Sequence, residues 1–188
     1  MDHTTMQRAC GSTERVVAGV TPEHYGLPTP CAEWDVRALL NHVLGTLALG
    51  AALLGDVAPT TSMAPGGLPD DDLVGDDPLK AYRVGVDGLL AAADGDALTR
   101  SHATPLGDMP GNVLGGFTTL DIAVHGWDLA KATGQHAALG DDLANEVLAF
   151  ARQTITASTR APRIGPAVTT DREASATDRL VAFLGRRP

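Results

Sequence analysis

The stretch that decides the fold lies at residues 121–130 and reads Asp-Ile-Ala-Val-His-Gly-Trp-Asp-Leu-Ala. It belongs to a longer helical pattern, residues 112–132, in which apolar side chains recur every three or four positions before Gly134 ends the helix. Asp121 and His125 stand four residues apart, so both side chains leave the same face of that helix. A carboxylate and an imidazole on one face can bind a single ion. The stretch is therefore predicted to carry half of a metal site.

The other half is predicted on an earlier helix, which Asp35 is suited to cap and which runs towards Leu54. His42 lies within this helix between apolar positions, so its ring has a fixed direction. With His42, Asp121 and His125 as ligands, coordination positions would stay open for water or substrate, as in catalytic metal sites. On spacing alone, an alternative remains: an exposed ion pair between Asp121 and His125, with His42 hydrogen-bonded in the core.

The rest of the chain alternates helical patterns with long irregular connections. Further helices are predicted at residues 4–25, 78–93 and 141–157, with loops at 56–77 and 94–111 and a short closing helix or turn at 174–184. A short strand or extended lip is conceivable within the second loop. The pattern indicates an all-α protein with four principal helices and a short C-terminal embellishment. The long loops permit crossover connections instead of a simple up-and-down order, so a four-helix bundle with long crossover loops is expected. One domain is expected over residues 1–188, in which residues 158–188 form a C-terminal strap and short helix.

The composition agrees with this fold class. Of the 188 residues, 44% are hydrophobic and 20% are charged, which is typical of a soluble globular protein. Aromatic residues make up only 4%, so the core must be built from Leu, Val and Ala, a composition that favours packed helices.

The charge balance restricts the partners. A formal net charge of −9 argues against nucleic-acid or anionic-membrane binding. The sequence shows no signal-peptide pattern and no run of consecutive apolar residues long enough for a membrane span, so a cytoplasmic protein is expected. Cys10 and Cys31 are interpreted as reduced thiols. A monomer or a homodimer is compatible with the sequence.

Three segments carry a resemblance to a known family. Residues 28–43 read Pro-Thr-Pro-Cys-Ala-Glu-Trp-Asp-Val-Arg-Ala-Leu-Leu-Asn-His-Val, residues 121–134 extend the opening stretch with Lys-Ala-Thr-Gly, and residues 178–188 read Asp-Arg-Leu-Val-Ala-Phe-Leu-Gly-Arg-Arg-Pro. Together they resemble the DinB-like, mycothiol-dependent maleylpyruvate isomerase superfamily, in particular its actinobacterial branch of uncharacterised metal-binding proteins. Because the segments fall near both ends and in between, the resemblance covers nearly the whole chain.

The resemblance implies a DinB-like four-helix bundle that holds one divalent metal, zinc or nickel, through His42, Asp121 and His125. It also implies mycothiol as the thiol that the metal activates. One position departs from the family pattern. The isomerase pattern is Glu-x-x-x-His, whereas the acid in this chain is Asp121, whose side chain is one methylene shorter. The shorter side chain is expected to alter ion preference or to weaken metal retention.

The function expected from this resemblance is a metal-dependent thiol S-transferase or isomerase acting on a small electrophile. The metal would lower the pKa of the thiol and present a thiolate, so the reactive group would be a metal-bound thiol or water. The chain has no counterpart of the isomerase's sizeable C-terminal domain, so maleylpyruvate itself is not the expected substrate. Two alternatives stay open: a small-molecule cyclase or lyase of a biosynthetic pathway, and a non-catalytic metal-binding stress or interaction protein.

Four further residues are candidates for the second shell or the pocket. Asp128 is spaced to orient a metal ligand, or else to cap or pair at the surface. Arg37 could meet an anionic substrate, although a surface ion pair is favoured. Trp127, like Trp34, is interpreted as packing in preference to a substrate platform. His102 is expected to be solvated, or to line the mouth if its loop folds over the bundle.

Cys31 is interpreted as a packing residue. It lies between the proline-rich connector and the helix that carries His42, and the sequence offers it no neighbouring His or other base.

Overall fold

The structure is a computed structural model that describes residues 1–64, 67–105, 107–137, 139–160 and 164–188. The chain forms two compact units, Met1–Ala137 and Ala138–Pro188. The expectation that the whole chain behaves as one domain stays a prediction.

The first unit is built around four long helices. They are α1 (His3–Val17), α2 (Val36–Leu54), α3 (Pro78–Ala92) and α4 (Gly111–Ala132). Helix α1 packs against α3 and α4, and α2 packs against the same two helices. The consecutive helices α1 and α2 are therefore diagonal partners in the bundle, which requires crossover connections. The predicted all-α bundle with long crossover loops is confirmed.

Aspartate side chains start three of these helices. Asp2, Asp35 and Asp77 accept hydrogen bonds from backbone amides in the first turns of α1, α2 and α3, at 2.8, 2.8 and 3.0 Å. Each bond satisfies an amide that lacks a partner within its helix. The cap on α2 fixes where this helix begins, and hence which of its residues face the bundle.

The first helix is shorter than the sequence pattern predicted. It ends at Val17, and the predicted continuation to residue 25 is wrong. Thr21 has extended backbone angles because Pro22 follows it, and Pro22–His24 form a separate 3₁₀ turn.

Helix α4 is buried on nearly all sides, which explains its many small residues. A Cβ atom at Gly126 would lie 2.2 Å from Thr13 Oγ1 on α1, and one at Gly115 would lie 3.0 Å from Met6 Cε. Only glycine allows α1 and α4 to approach this closely. Helix α4 is therefore the central element of the bundle.

Helix α2 also has the length and apolar composition that a membrane crossing requires. More than half of the window that passes this test is buried within the protein, as in the core helix of a soluble bundle. Leu39, Leu40 and Leu47 of this helix are fully buried.

A small antiparallel hairpin precedes α4. Its strands are β1 (Ser101–Thr104) and β2 (Gly107–Pro110), and Ser101 lies opposite Pro110. The short strand that the sequence allowed in this loop is therefore present. His102 on β1 is only 1% exposed. Its Nδ1 lies 2.9 Å from the Asp56 carboxylate and its Nε2 lies 2.7 Å from the Ala97 carbonyl oxygen.

The expectation of a solvated or mouth-lining His102 is therefore wrong. Asp56 follows the end of α2, and pairing with this carboxylate holds the His102 ring inside the protein. Asp56 lies about 20 Å along the helix from His42, since α-helices rise about 1.5 Å per residue.

The second unit contains α5 (Asp141–Thr154), α6 (Ala157–Arg160) and α7 (Ala176–Phe183). Helix α5 packs against α7. The segment before α7 returns along it, with the Val168 amide donating to the Ala182 carbonyl at 2.8 Å. Helix α7 lies within the predicted closing segment, residues 174–184, and the assignment of residues 158–188 as a C-terminal strap and short helix stays a prediction.

Candidate metal centre

Three side chains from α2 and α4 converge at one point. His42 Nε2 lies 3.1 Å from Asp121 Oδ2, and His125 Nε2 lies 3.4 Å from Asp121 Oδ1. The two imidazole rings meet edge to face with their centroids 4.9 Å apart. We call His42, Asp121 and His125 the His42 site. The residues predicted as ligands therefore come together, and their binding of a metal ion stays a prediction.

The outer hydrogen bonds of the two histidines fix which nitrogen faces the centre. His42 Nδ1 donates to the Gly67 carbonyl oxygen, and His125 Nδ1 donates to Asp128 Oδ2 at 2.9 Å. A neutral imidazole carries one N–H, so both Nε2 atoms then present lone pairs towards the Asp121 carboxylate. Lone pairs on all three groups repel unless positive charge lies between them. The donor set thus fits a divalent cation.

The same convergence shifts two pKa values. Burial alone would raise the pKa of Asp121, but the charges and hydrogen bonds of His125 and His42 outweigh burial and hold it well below its usual value. Burial alone would lower the pKa of His125, but the charge of Asp121, with the hydrogen bonds of the His125 ring to Asp121, Asp128 and Cys31, holds it well above its usual value. In the metal-free protein the Asp121 carboxylate therefore favours a proton on His125.

Access to the centre is through the carboxylate. The side chain of Asp121 is 32% exposed, whereas those of His42 and His125 are only 11% and 10% exposed. Thr46 Oγ1, one turn after His42, donates to Asp121 Oδ2 at 2.8 Å and holds the carboxylate in place. A ligand can therefore approach from solvent on the side of the carboxylate.

The connector before α2 places two more side chains at the site. Thr29 Oγ1 donates to the carbonyl oxygens of Cys31 and Trp34, which closes the segment into a tight turn. The Trp34 ring lies 4.6 Å from the His42 ring and 6.0 Å from the His125 ring, measured between centroids. Trp34 therefore forms a wall of the site, a role that the sequence interpretation did not favour.

Asp128 and Cys31 form a second layer behind His125. Asp128 is fully buried, and its Oδ2 accepts from both His125 Nδ1 and Cys31 Sγ, the latter at 3.3 Å. Cys31 Sγ also lies 3.6 Å from His125 Nδ1. Asp128 therefore orients His125 as a second-layer carboxylate does. Cys31 has a histidine and a carboxylate as neighbours, although the sequence suggested packing alone.

The loop after α2 is fastened along that helix. The Asn41 side chain donates to the Asp71 carbonyl and accepts from the Leu73 amide, at 3.0 and 2.7 Å. Arg37 pairs with Asp72 at 2.6 Å. These contacts, made by loop residues that follow Gly67, hold the loop where it can position the imidazole.

Two of the predicted pocket residues have other roles. Arg37 is engaged with Asp72 and lies over the Tyr25 ring, so the surface ion pair favoured by the sequence interpretation is present. Trp127 is 3% exposed and has the Lys131 amine 5.4 Å from its ring centroid, in agreement with a packing role.

These features define a class: helical bundles in which a histidine on one helix and an acid-x-x-x-His pair on another face a common centre. Comparison with known sequences specifies the class further. The sequence model of the Mycothiol maleylpyruvate isomerase N-terminal domain family matches residues 6–130. The chain belongs to this family.

Two relatives match nearly end to end. They are Uncharacterized protein Rv0738 and Uncharacterized protein MT0763, from two strains of Mycobacterium tuberculosis. Each is 35% identical over 182 residues, covering 96% of this chain and 94% of the relative.

A solved structure shares the fold. It is the crystal structure of a histidine-to-alanine mutant of the mycothiol-dependent maleylpyruvate isomerase, with a TM-score of 0.60 at 18% sequence identity. The match covers 78% of this chain and 66% of the isomerase chain, so about a third of that enzyme has no counterpart in the match. At this identity the likeness supports the DinB-like fold.

Proposed function

We propose that this protein is a divalent-metal-dependent enzyme that uses a low-molecular-weight thiol of the mycothiol type on a small electrophilic substrate in the cytoplasm. The observation that carries the proposal is the convergence of His42 Nε2, His125 Nε2 and the Asp121 carboxylate, with both Nδ1 atoms committed to outer acceptors. Membership of the mycothiol maleylpyruvate isomerase family supports the choice of thiol. Zinc or nickel suits two imidazoles and a carboxylate.

A divalent cation at this centre supplies positive charge that lowers the pKa of a thiol brought next to it. His42 and His125 would hold the cation, and Gly67 and Asp128 keep their rings aligned through the outer hydrogen bonds. The Asp121 carboxylate reduces the net charge of the site and lies at its exposed side.

Isomerisation and S-transfer would both begin with addition of the thiolate to an electrophilic double bond. If the C–S bond breaks again after rotation about the former double bond, the product is an isomer and the thiol is regenerated. If the C–S bond persists and the adjacent carbon takes up a proton, the product is a thioether. The Trp34 ring, tilted by 35° against the His42 ring, would supply an apolar wall beside the reacting sulfur.

Metal content tests the proposed site. Protein from cells grown with nickel should carry about one nickel ion per chain, measured by elemental analysis, and His42→Ala and His125→Ala should each lose it. His102→Ala is the matched control, because His102 is also a buried histidine paired with an aspartate but lies beyond the far end of α2. Wild-type protein without bound metal, or His42→Ala that retains it, would contradict the metal site.

Thiol binding tests the proposed chemistry. Mycothiol should raise the melting temperature of the metal-loaded wild type and leave metal-free His42→Ala unchanged. An S-methylated mycothiol serves as the control, since its sulfur cannot form a thiolate. An equal thermal shift with both compounds would show that the sulfur does not bind the metal.

A further inference from the structure

We propose that Cys31, His125 and Asp128 form a second metal site, selective for thiophilic cations, that shares His125 with the His42 site and cannot be filled at the same time. We call these three residues the Cys31 site. The described residues contain two groups of three side chains that could hold a metal ion, the Cys31 site and the His42 site. Within each group, the three ligand atoms lie within 4.8 Å of one another. The two groups lie on opposite nitrogens of one imidazole ring.

The separations in the Cys31 site are close to those of a tetrahedral metal site. Ligand atoms around zinc, bound at about 2.3 Å for sulfur and about 2.1 Å for nitrogen or oxygen, lie about 3.3 to 3.6 Å apart. Cys31 Sγ lies 3.3 Å from Asp128 Oδ2 and 3.6 Å from His125 Nδ1. The His125 Nδ1 to Asp128 Oδ2 distance is 2.9 Å. This last pair must therefore open by about 0.4 Å to bind an ion.

Sharing of His125 makes the two sites exclusive. When Nε2 binds an ion in the His42 site, Nδ1 carries the proton that it donates to Asp128. When Nδ1 binds an ion in the Cys31 site, the proton moves to Nε2, which then faces Asp121 Oδ1 at 3.4 Å. A neutral imidazole has one N–H and cannot satisfy both arrangements. One ion per chain is therefore expected in total.

The donor atoms differ in softness, which decides which ion takes which site. The His42 site offers two nitrogens and a carboxylate, and the Cys31 site offers sulfur, nitrogen and a carboxylate. Thiolate ligands favour soft cations such as Cd²⁺ and Cu⁺. Binding replaces the proton of the Cys31 thiol by the metal ion and releases that proton to solvent. Cys31 is partly exposed, which gives an ion access to the sulfur.

The test adds Cd²⁺ to the metal-free protein and follows the ultraviolet sulfur-to-cadmium charge-transfer absorption. Wild type and His42→Ala should both develop this absorption, saturating at about one ion per chain, since only His125 is shared. Cys31→Ser should lose it. Cys10→Ala should keep it, because Cys10 is buried in α1, and burial raises the pKa of its thiol to about 12. Circular dichroism checks that each variant is folded.

Two results would overturn the proposal: no charge-transfer absorption in wild type and His42→Ala, or an absorption that survives Cys31→Ser. Exclusion has its own test, in which Ni²⁺ loaded first should suppress the cadmium absorption in wild type and have less effect in His42→Ala. Equal cadmium absorption with and without nickel in wild type would disprove the sharing of His125. Because His42→Ala lacks the His42 site, the outcome does not depend on the proposed enzymatic function.

Discussion

Gly126 shows how one residue determines the distance between two helices. A Cβ atom there would lie 2.2 Å from Thr13 Oγ1, and this hydroxyl donates to the Ile122 carbonyl at 3.0 Å. A methyl group therefore displaces α1 or breaks that buried hydrogen bond. Gly126 also neighbours His125, so the packing of the two helices and the position of a site residue depend on the same turn of α4.

Gly126→Ala is expected to destabilise the protein by about 1 to 3 kcal/mol, the usual cost of overpacking a core. Urea unfolding followed by circular dichroism measures the change. Gly11→Ala is the matched control, since it lies within α1 and a Cβ atom there would have no neighbour within 4 Å. The control should be neutral or more stable by up to about 1 kcal/mol, because alanine favours helix. Equal stability of the two variants would refute the role of close packing.

The pair Asp121 and His125 predicts a pH dependence of the metal-free protein. The lowered pKa of Asp121 stabilises the fold above its unfolded value of 3.8, and this stabilisation is lost as pH falls through the folded pKa. The raised pKa of His125 stabilises the fold fully below its unfolded value of 6.5, and this stabilisation is lost as pH rises through the folded pKa. Both contributions are present between these two unfolded values.

Melting temperatures of the metal-free protein should therefore decline as pH rises above 6.5. The rise in melting temperature on adding Zn²⁺ should grow over the same range, because the ion requires unprotonated Nε2 atoms. His125→Asn should flatten the alkaline decline. A zinc effect that shrinks with increasing pH would be inconsistent with imidazole ligation.

The ligand residues could be predicted from the sequence, and their surroundings could not. Asp121 and His125 share a helix face by spacing alone, and His42 followed from its place on a strongly patterned helix together with the family resemblance. Cys31 approaches His125 across 94 residues of chain, and no periodicity encodes a contact of that kind. His102 was misjudged for the same reason, since its partner Asp56 lies 46 residues away.

At the scale of elements, the loop after α2 acts on the site through one backbone carbonyl. Gly67 accepts from His42 Nδ1 with a φ of +90°, in the region that favours glycine. A Cβ atom there would also lie 3.4 Å from the Trp34 ring and 3.6 Å from His42 Nδ1. The conformation of this loop therefore affects the orientation of a ligand on α2.

Gly67→Ala is expected to weaken metal binding by about 10- to 100-fold, the usual effect of losing an outer partner of a ligand. Isothermal titration with Zn²⁺ measures the affinity. Gly75→Ala is the matched control, because Gly75 also has a positive φ, +55°, but no neighbour within 4 Å of a Cβ atom. Both variants bear backbone strain. If both lost affinity equally, strain in the loop and not the carbonyl of Gly67 would be responsible.

The element boundaries separate what local sequence determines from what packing determines. Asp35 as a cap and Pro78 in the first turn made the starts of α2 and α3 predictable, since both are local signals. The end of α1 was missed because apolar residues continue with helical spacing beyond Val17, while Pro22 imposes an extended backbone on Thr21. The crossover order of the helices depends on packing between distant segments. The long loops showed that this order was possible, but no local pattern predicted it.

At the scale of the whole molecule, a bound ion would join α2 to α4 at the centre of the first unit. Removing the metal with a chelator should lower the melting temperature. At an ion concentration 100 times the dissociation constant, the lost binding corresponds to about 2.7 kcal/mol in the free energy of unfolding. Differential scanning calorimetry measures this shift. His42→Ala supplied with nickel alone should melt at the same temperature with and without chelator. A chelator effect that persists in this variant would place the stabilising ion elsewhere.

The separation of His42 and Asp121 along the chain has a kinetic consequence. The two residues are 79 positions apart, so closing this loop requires the intervening helices to be largely in place. An ion that binds only after this closure contributes little to the transition state for folding and chiefly slows escape from the native state. Metal supply would then govern how long each molecule resists unfolding and proteolysis more than how quickly it first folds.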